Sequence, residues 1–274
     1  MRHLPWEEAA DFQIGLKPIA LADWLEGGEA DAAVRKDALF ARHLGLVWAE
    51  AEGSRQAQEE VLEMVGAALG PAPVPAGLPP LYAASRRVPD DLCLMEKRDS
   101  QWRLTALSLS AGSFFTAEEV IGRSLAELHD PVTGFGERFL VRVQRIFDGL
   151  RPELLLERRN WTVLNSDALH TPSSAPIRAR IGEIDATTAG RALNLRVERQ
   201  TLRRLPRTGG VLFTIRVWLA PLDSLRGDPV RLAGFARAWR SATPQLRAYK
   251  RFELYDDLVA SFLRDAGAGG ASGL

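Results

Sequence analysis

The chain has 274 residues, 46% of them hydrophobic, with 35 Lys+Arg against 35 Asp+Glu and a formal net charge of zero. That composition is globular, not disordered, and supplies enough apolar residues for a real core in one large domain or two small ones. Balanced charge provides no overall field for nucleic acid or an anionic membrane, and a single cysteine, Cys93, excludes an intrachain disulfide and a multi-thiolate metal site.

The opening MRHLPWEEAADF carries acids and no apolar stretch of signal-peptide length. The uncharged run at residues 104–117 is too short and too rich in Ser and Thr to span a bilayer. A soluble, cytoplasmic protein with no membrane partner is expected. Residues 1–28 mix short apolar pieces with Pro and Gly and read as an irregular, packed leader. From 30 to 69 the pattern is helical, with Val61, Leu62, Val65, Ala68 and Leu69 at helical spacing and Ser54 as a cap. GPAPVPAGLPP (70–80) has five prolines and reads as a stiff connector. The expected organisation is an N-terminal helical extension with connector (1–80), a core (81–264) and a flexible tail (265–274).

LCLME (92–96) and WRLTALSL (102–109) suggest strands, with Cys93 a buried, inert thiol. Thr116-Ala117-Glu118-Glu119 is a capping box, predicting one helix that buries Val120, Ile121, Ser124, Leu125 and Leu128. It ends at His129, because Pro131 disfavours helical geometry at Asp130. Phe135, Phe139, Val143, Ile146, Phe147 and Leu150 mark a second helix, and RRNWTVL (158–164) a further strand. Leu193, Leu195 and Val197, then Val211, Phe213, Ile215, Val217 and Leu219, alternate about the turn residues PRTGG (206–210), predicting a hairpin. Two C-terminal helices are expected, near 229–240 and 251–264. Hairpins with helices grouped between them indicate an α+β fold around an antiparallel sheet.

GAGGASG (267–273) superficially resembles a dinucleotide loop, but no strand precedes it and no helix can follow. Four scattered histidines, His3, His43, His129 and His170, do not suggest a structural zinc. A cofactor that brings most of its own ligands needs only one histidine, as haem does. His129 is the best placed; alternatively, a helix C-terminus simply favours an imidazole there. Five arginines fall within residues 195–207. They read as a solvated sheet face, as a nucleic-acid surface (disfavoured, since interleaved aromatics are missing) or as an anchor for a dianionic small molecule. In the last case Arg196, Arg199 and Arg203 offer guanidinium forks, and Glu198, on the same strand face as Arg196, is a clamp or an ammonium contact.

ALSLSAGSFFTAEEVIGRSLAELHDPVTGF (106–135), RRNW (158–161) and LRVERQTLRRLPRTGGVLFTIRVWLAPL (195–222) together resemble the alpha subunit of haem-dependent oxidative N-demethylase and its relatives. The resemblance implies a PAS-like haem-binding fold with flanking helices, and oxidative removal of a methyl group from a small secondary amine, consuming O2 and releasing formaldehyde. It implies haem b with His129 as axial ligand. Arg158, Arg196, Arg199 and Arg203 then pair the propionates, and Glu198 becomes a catalytic pocket contact. Electrons would come from NADPH through separate flavin and iron–sulfur subunits, a reductase or ferredoxin-like partner, since this chain has no motif for either. A haem-based gas or redox sensor without turnover, and a relative that has lost haem, stand as alternatives.

Overall fold

The computed structural model describes residues 14–26, 31–130 and 136–268. His3 and the expected leader up to residue 13, the 131–134 step, Phe135 and the tail from 269 lie outside the described residues. The chain is α+β: seven antiparallel strands form one sheet in the order β1-β5-β6-β7-β3-β4-β2, with helices against both faces. The strands are β1 (Lys17–Ile19), β2 (Trp48–Glu50), β3 (Asp91–Arg98), β4 (Gln101–Ser108), β5 (Leu155–Leu164), β6 (Asn194–Arg204) and β7 (Val211–Pro221).

The predicted hairpin is the middle of this sheet. β6 pairs with β7 along its whole length, from Asn194↔Pro221 to Arg204↔Val211, and β5 pairs with β6 from Leu155↔Arg203 to Leu164↔Asn194. The turn between β6 and β7 is held from outside: the buried Glu60 of α3 (Arg55–Leu69) accepts from the Arg207 and Thr208 amides at 2.7 and 2.9 Å. β3 and β4 are joined through Asp99 and Ser100, both left-handed (φ 48° and 64°), a turn of the type that suits strand twist.

Period-two alternation gives each strand two environments. One face of the sheet packs Leu92, Leu94, Leu155 and Leu212 under α3 and α4 (Pro80–Ser85). On the same face, Trp161, Val163, Leu195 and Val197 pack under α10 (Pro229–Ser241), α11 (Pro244–Lys250) and α12 (Asp256–Asp265). Phe252 and Trp239 stack there at 4.1 Å, and Trp161 lies 5.4 Å from Phe252. The other face presents Cys93, Met95, Leu104, Leu202, Val211 and Phe213 toward α5 (Ala117–Val120), α6 (Leu125–His129) and α7 (Val141–Gly149). Cys93 is buried and its thiol pKa is pushed far up by desolvation, as expected of an inert thiol.

Several expectations need correction. The segment 30–69 is not continuous helix: α1 (Ala32–Arg42) and α2 (Leu44–Val47) are followed by the edge strand β2 before α3. Ser54 precedes α3, but its hydroxyl donates to the Ala51 carbonyl and makes no cap bond to the helix. The single helix expected from 117 to 129 is two. Gly122 (φ +78°) turns the chain, its amide donating to the Leu104 carbonyl and the Leu104 amide to the Arg123 carbonyl, so the edge of β4 captures the break. A second capping box, Ser124 with Glu127, then starts α6. The C-terminal region has three helices where two were expected. Thr243 caps α11 by accepting from the Leu246 amide, with Pro244 at its first position.

A layer of buried charge lies between the sheet and the N-terminal helices. Lys36 of α1 donates to the carbonyls of Ser85 (2.9 Å) and Asp90 (2.5 Å), while Arg216 lies 3.7 Å from the Asp90 carboxylate. Burial raises the Asp90 carboxyl to about 6, against the opposing pull of Arg216 and Lys36. A carboxyl raised in the fold contributes stability that is fully present below the ordinary Asp range and is lost as pH climbs through its folded value. The Asp90→Asn variant cannot ionise there. Its urea stability relative to wild type is expected to improve steadily from about pH 4 to about pH 7; parallel stability–pH curves for the two proteins would refute this.

Candidate functional site

Between the sheet and α5–α7 lies a cavity of about 1010 Å³, at the upper end of ligand-pocket sizes. Its wall has two chemical characters. Leu104, Leu107, Val120, Leu125, Val143 and Phe147 line the end built by β4 and the helices. Arg158, Asn160, Arg196, Glu198, Tyr249 and Lys250 line the end built by β5, β6 and the close of α11.

His129 faces this cavity from the last turn of α6. The capping box fixes the helix start, with the Ser124 amide donating to Glu127 at 2.6 Å, and so fixes where its last turn falls. The imidazole Nδ1 lies 2.7 Å from the Leu125 carbonyl. A carbonyl only accepts, so the proton resides on Nδ1 and Nε2 carries the lone pair of the neutral ring. Burial lowers the His129 pKa, the Leu125 bond acts against that, and the Arg158 guanidinium lowers it further. The ring is therefore neutral near pH 7, with the tautomer a metal-ligating imidazole needs.

Arg158, on β5, influences both ends of the cavity, since its charge depresses the basicity of His129 and of Lys250. Arg196 is almost fully buried and commits three of its N–H groups to the protein. Nη2 donates to the Ala111 carbonyl (2.5 Å), Nη1 to that of Leu169 (3.2 Å), and Nε to Glu198 (3.1 Å). Glu198 also accepts from Asn160 (3.3 Å) and Gln200 (2.8 Å). Burial alone would raise its pKa, but the Arg196 charge and these hydrogen bonds outweigh that and hold the carboxyl below its ordinary value. Glu198 is a carboxylate facing the cavity.

The two remaining arginines of the sequence reading point the other way. Arg199 sits on the opposite sheet face, ion-paired with Glu157 and donating to the carbonyls of Trp24 (2.8 Å) and Asp23. Arg203, on that same face, places its guanidinium 4.3 Å from the centre of the Trp24 ring. Arg204 bonds the Phe147 carbonyl, and Arg207 pairs with Glu63 at 2.6 Å. The five cations are thus spread over both faces and the turn, each with its own contact. The structure brings His129, Arg158, Arg196 and Glu198 to one cavity and leaves Arg199 and Arg203 outside it.

The loop after β4 closes one side. Buried Asp91 accepts from the Ser110 amide (2.5 Å), the Ser110 hydroxyl (3.1 Å) and the Ala111 amide (3.1 Å). The Phe114 amide donates to the Thr171 carbonyl at 2.7 Å, and the Thr171 amide to that of Gly112 at 2.9 Å. Phe114 itself lines the cavity in a left-handed conformation (φ 66°). Asp91, Tyr249 and Lys250 were not picked out from the sequence. Asn160 was visible only as part of the RRNW tetrad.

Among the described residues, no three His, Cys, Asp or Glu side chains are grouped to hold a bare metal ion. Nor is any helix among them long and apolar enough to cross a membrane. The family model for haem-dependent oxidative N-demethylase, alpha subunit-like, matches residues 67–260, well over half of the chain and nearly all of the cavity wall. This chain belongs to the haem-dependent oxidative N-demethylase alpha-subunit-like family.

Proposed function

We propose that the chain is the haem-binding subunit of a cytoplasmic oxidative N-demethylase acting on a small secondary amine. The observation that carries the reading is His129, locked by Leu125 in the Nδ1–H tautomer and facing a cavity of about 1010 Å³. The donor set suits haem b: one neutral imidazole, an apolar wall for a macrocycle, and the Arg158 guanidinium on the same wall for an anionic propionate. The PAS-like description of the fold is part of the same proposal, supported by five long antiparallel strands in which the first, β3, lies beside the last, β7.

His129 would be the axial ligand, with the Leu125 carbonyl orienting its ring. Arg158 would pair a propionate, whereas Arg196 has most of its donors committed to Ala111, Leu169 and Glu198 and acts mainly by holding the wall. Arg199 and Arg203 would support the site only from the opposite face of the sheet. Haem, once bound, supplies activation of O2 and takes electrons from the amine. The remaining electrons needed to reduce O2 would come from NADPH by way of separate flavin and iron–sulfur subunits. Glu198, ionised at the polar end, would attract the substrate as its ammonium and orient it. A gas or redox sensor without turnover is the second reading. It is favoured by Glu198 having its oxygens already engaged by Arg196, Asn160 and Gln200.

With a reductant, oxygen and dimethylamine, the loaded protein should release formaldehyde; tight CO or NO binding with no formaldehyde from any secondary amine would support the sensor. The His129→Ala variant is expected to lose the imidazole-ligated haem spectrum and regain it with added imidazole. An unchanged spectrum in that variant, with an altered one in His170→Ala, would transfer the ligand role. Arg158→Ala removes one charge-assisted contact worth about 1.5–3 kcal/mol, so haem affinity should weaken roughly ten- to hundredfold without loss of the fold. Unaltered affinity would remove Arg158 from the cofactor site. The Glu198→Gln variant keeps the shape and the Arg196 bonds to Ala111 and Leu169. It should retain haem yet lose the optical shift on titration with dimethylamine.

A further inference from the structure

Lys250 is the last residue of α11, and the chain turns sharply after it because Arg251 is left-handed (φ 56°). That turn brings the Lys250 side chain to the cavity wall beside Tyr249. β1 covers β5 only from Leu155 to Glu157, so the outer edge of β5 beyond that point has no strand partner among the described residues. Lys250 Nζ donates to the Trp161 carbonyl on this edge at 2.5 Å and lies 5.1 Å from the centre of the Trp161 ring. No carboxylate among the described residues is within ion-pairing distance of Lys250. Of the charged and titratable groups lining the cavity, Arg158 on β5 and Glu198 on β6 act on Lys250 electrostatically, and Arg178 on α8 (Ala175–Ala179), Arg196 on β6, Tyr249, Arg251 and Tyr255 also line the wall.

We propose that Lys250 is a further catalytic residue, the base that takes the proton from a cationic amine bound in this cavity; the proposal rests on the amine-oxidising reading above. An amine gives up electrons from its lone pair, which the ammonium form lacks. In the step, an N–H bond of the substrate ammonium breaks and its electron pair stays on the substrate nitrogen. The proton forms a new N–H bond at Lys250 Nζ. The Trp161 carbonyl orients the Lys250 amine by accepting one of its hydrogens, leaving the lone pair of the neutral group for the substrate.

The electrostatics agree with the geometry. Burial, reinforced by the Arg158 charge and opposed by Glu198, lowers the Lys250 pKa to about 7. An alkylammonium near its ordinary value of about 10.4 loses its proton to such a group at a disadvantage of roughly a thousandfold. Transfer to Glu198, held below its ordinary carboxyl value, is roughly a millionfold uphill or worse. Glu198 is suited to attract the cation and Lys250 to neutralise it.

The test is the pH dependence of dimethylamine binding to the haem-loaded protein, read from the optical shift between pH about 6 and 9, in wild type and Lys250→Met. With Lys250 as acceptor, wild type takes up the abundant ammonium, so its affinity is flat above about pH 7 and falls below it. The variant can bind only amine already neutral in solution, so its affinity should rise about tenfold per pH unit. Equal, flat profiles in both proteins would overturn the role of Lys250 while leaving the amine reading intact. No shift with dimethylamine in wild type would defeat the amine reading, and this proposal with it. Should Lys250→Met not fold, Lys250→Gln takes its place. Trace acetylation of the wild-type protein supplies a readout without substrate: Lys250 should be half-labelled near pH 7 in the native chain and near pH 10 in urea, whereas half-labelling near pH 10 in both would overturn it.

Discussion

One buried guanidinium, Arg196, connects the parts that form the cavity. It projects from β6 and holds the Ala111 carbonyl after β4, the Leu169 carbonyl after β5, and the Glu198 carboxylate two residues along its own strand. The two loops it grips are joined to each other through Gly112, Phe114 and Thr171, so the rim closes into a ring of hydrogen bonds. Burying a guanidinium is costly, and removing one partner of a buried pair typically costs about 3–5 kcal/mol because the other charge is left uncompensated. Rim, sheet and acid therefore form a unit. The carboxylate that faces the cavity is ionised because the residue that closes the rim also neutralises it.

The same alternation that places Arg196 in the cavity excludes Arg199 and Arg203 from it. Residues 196, 198, 200 and 202 share one face of β6, and 195, 197, 199, 201 and 203 share the other. On that other face Arg199 and Glu157 pair near the buried Lys36–Asp90–Arg216 layer. This division was legible in the sequence, since a strand that buries Leu195 and Val197 on one side must carry Arg199 with them. Spacing along the chain made the arginines look like a single donor cluster; period two separates them. The hairpin itself and the long strands were equally legible, from clean alternation about PRTGG.

What the sequence concealed depends on partners far away in the chain. Thr116 to His129 carries a helical apolar pattern throughout. The break at Gly122 is set by backbone bonds to Leu104 on β4, which no local pattern contains. The strands β1 and β2 are three residues each, too short to show alternation, and exist because longer strands offer them an edge. Lys250 was invisible for a related reason. Its position is made by a left-handed Arg251 and by an uncovered carbonyl on β5, 89 residues earlier in the chain. In the sequence it is one more cation near a helix end.

The cavity assigns different tasks to its two ends through solvation. At the apolar end burial keeps His129 neutral, which a metal ligand requires. At the polar end burial acts on Lys250 and Glu198 together but with opposite results: Lys250 has no carboxylate in contact among the described residues and loses basicity, whereas Glu198 has Arg196 and two amides and stays charged. Arg158 between them depresses both His129 and Lys250, so a single guanidinium favours neutral nitrogen on either side of it. An anion seated on Arg158 would offset that effect at both ends at once. On the reading proposed above that anion would be a haem propionate, and the cofactor and the amine would then be coupled through one side chain.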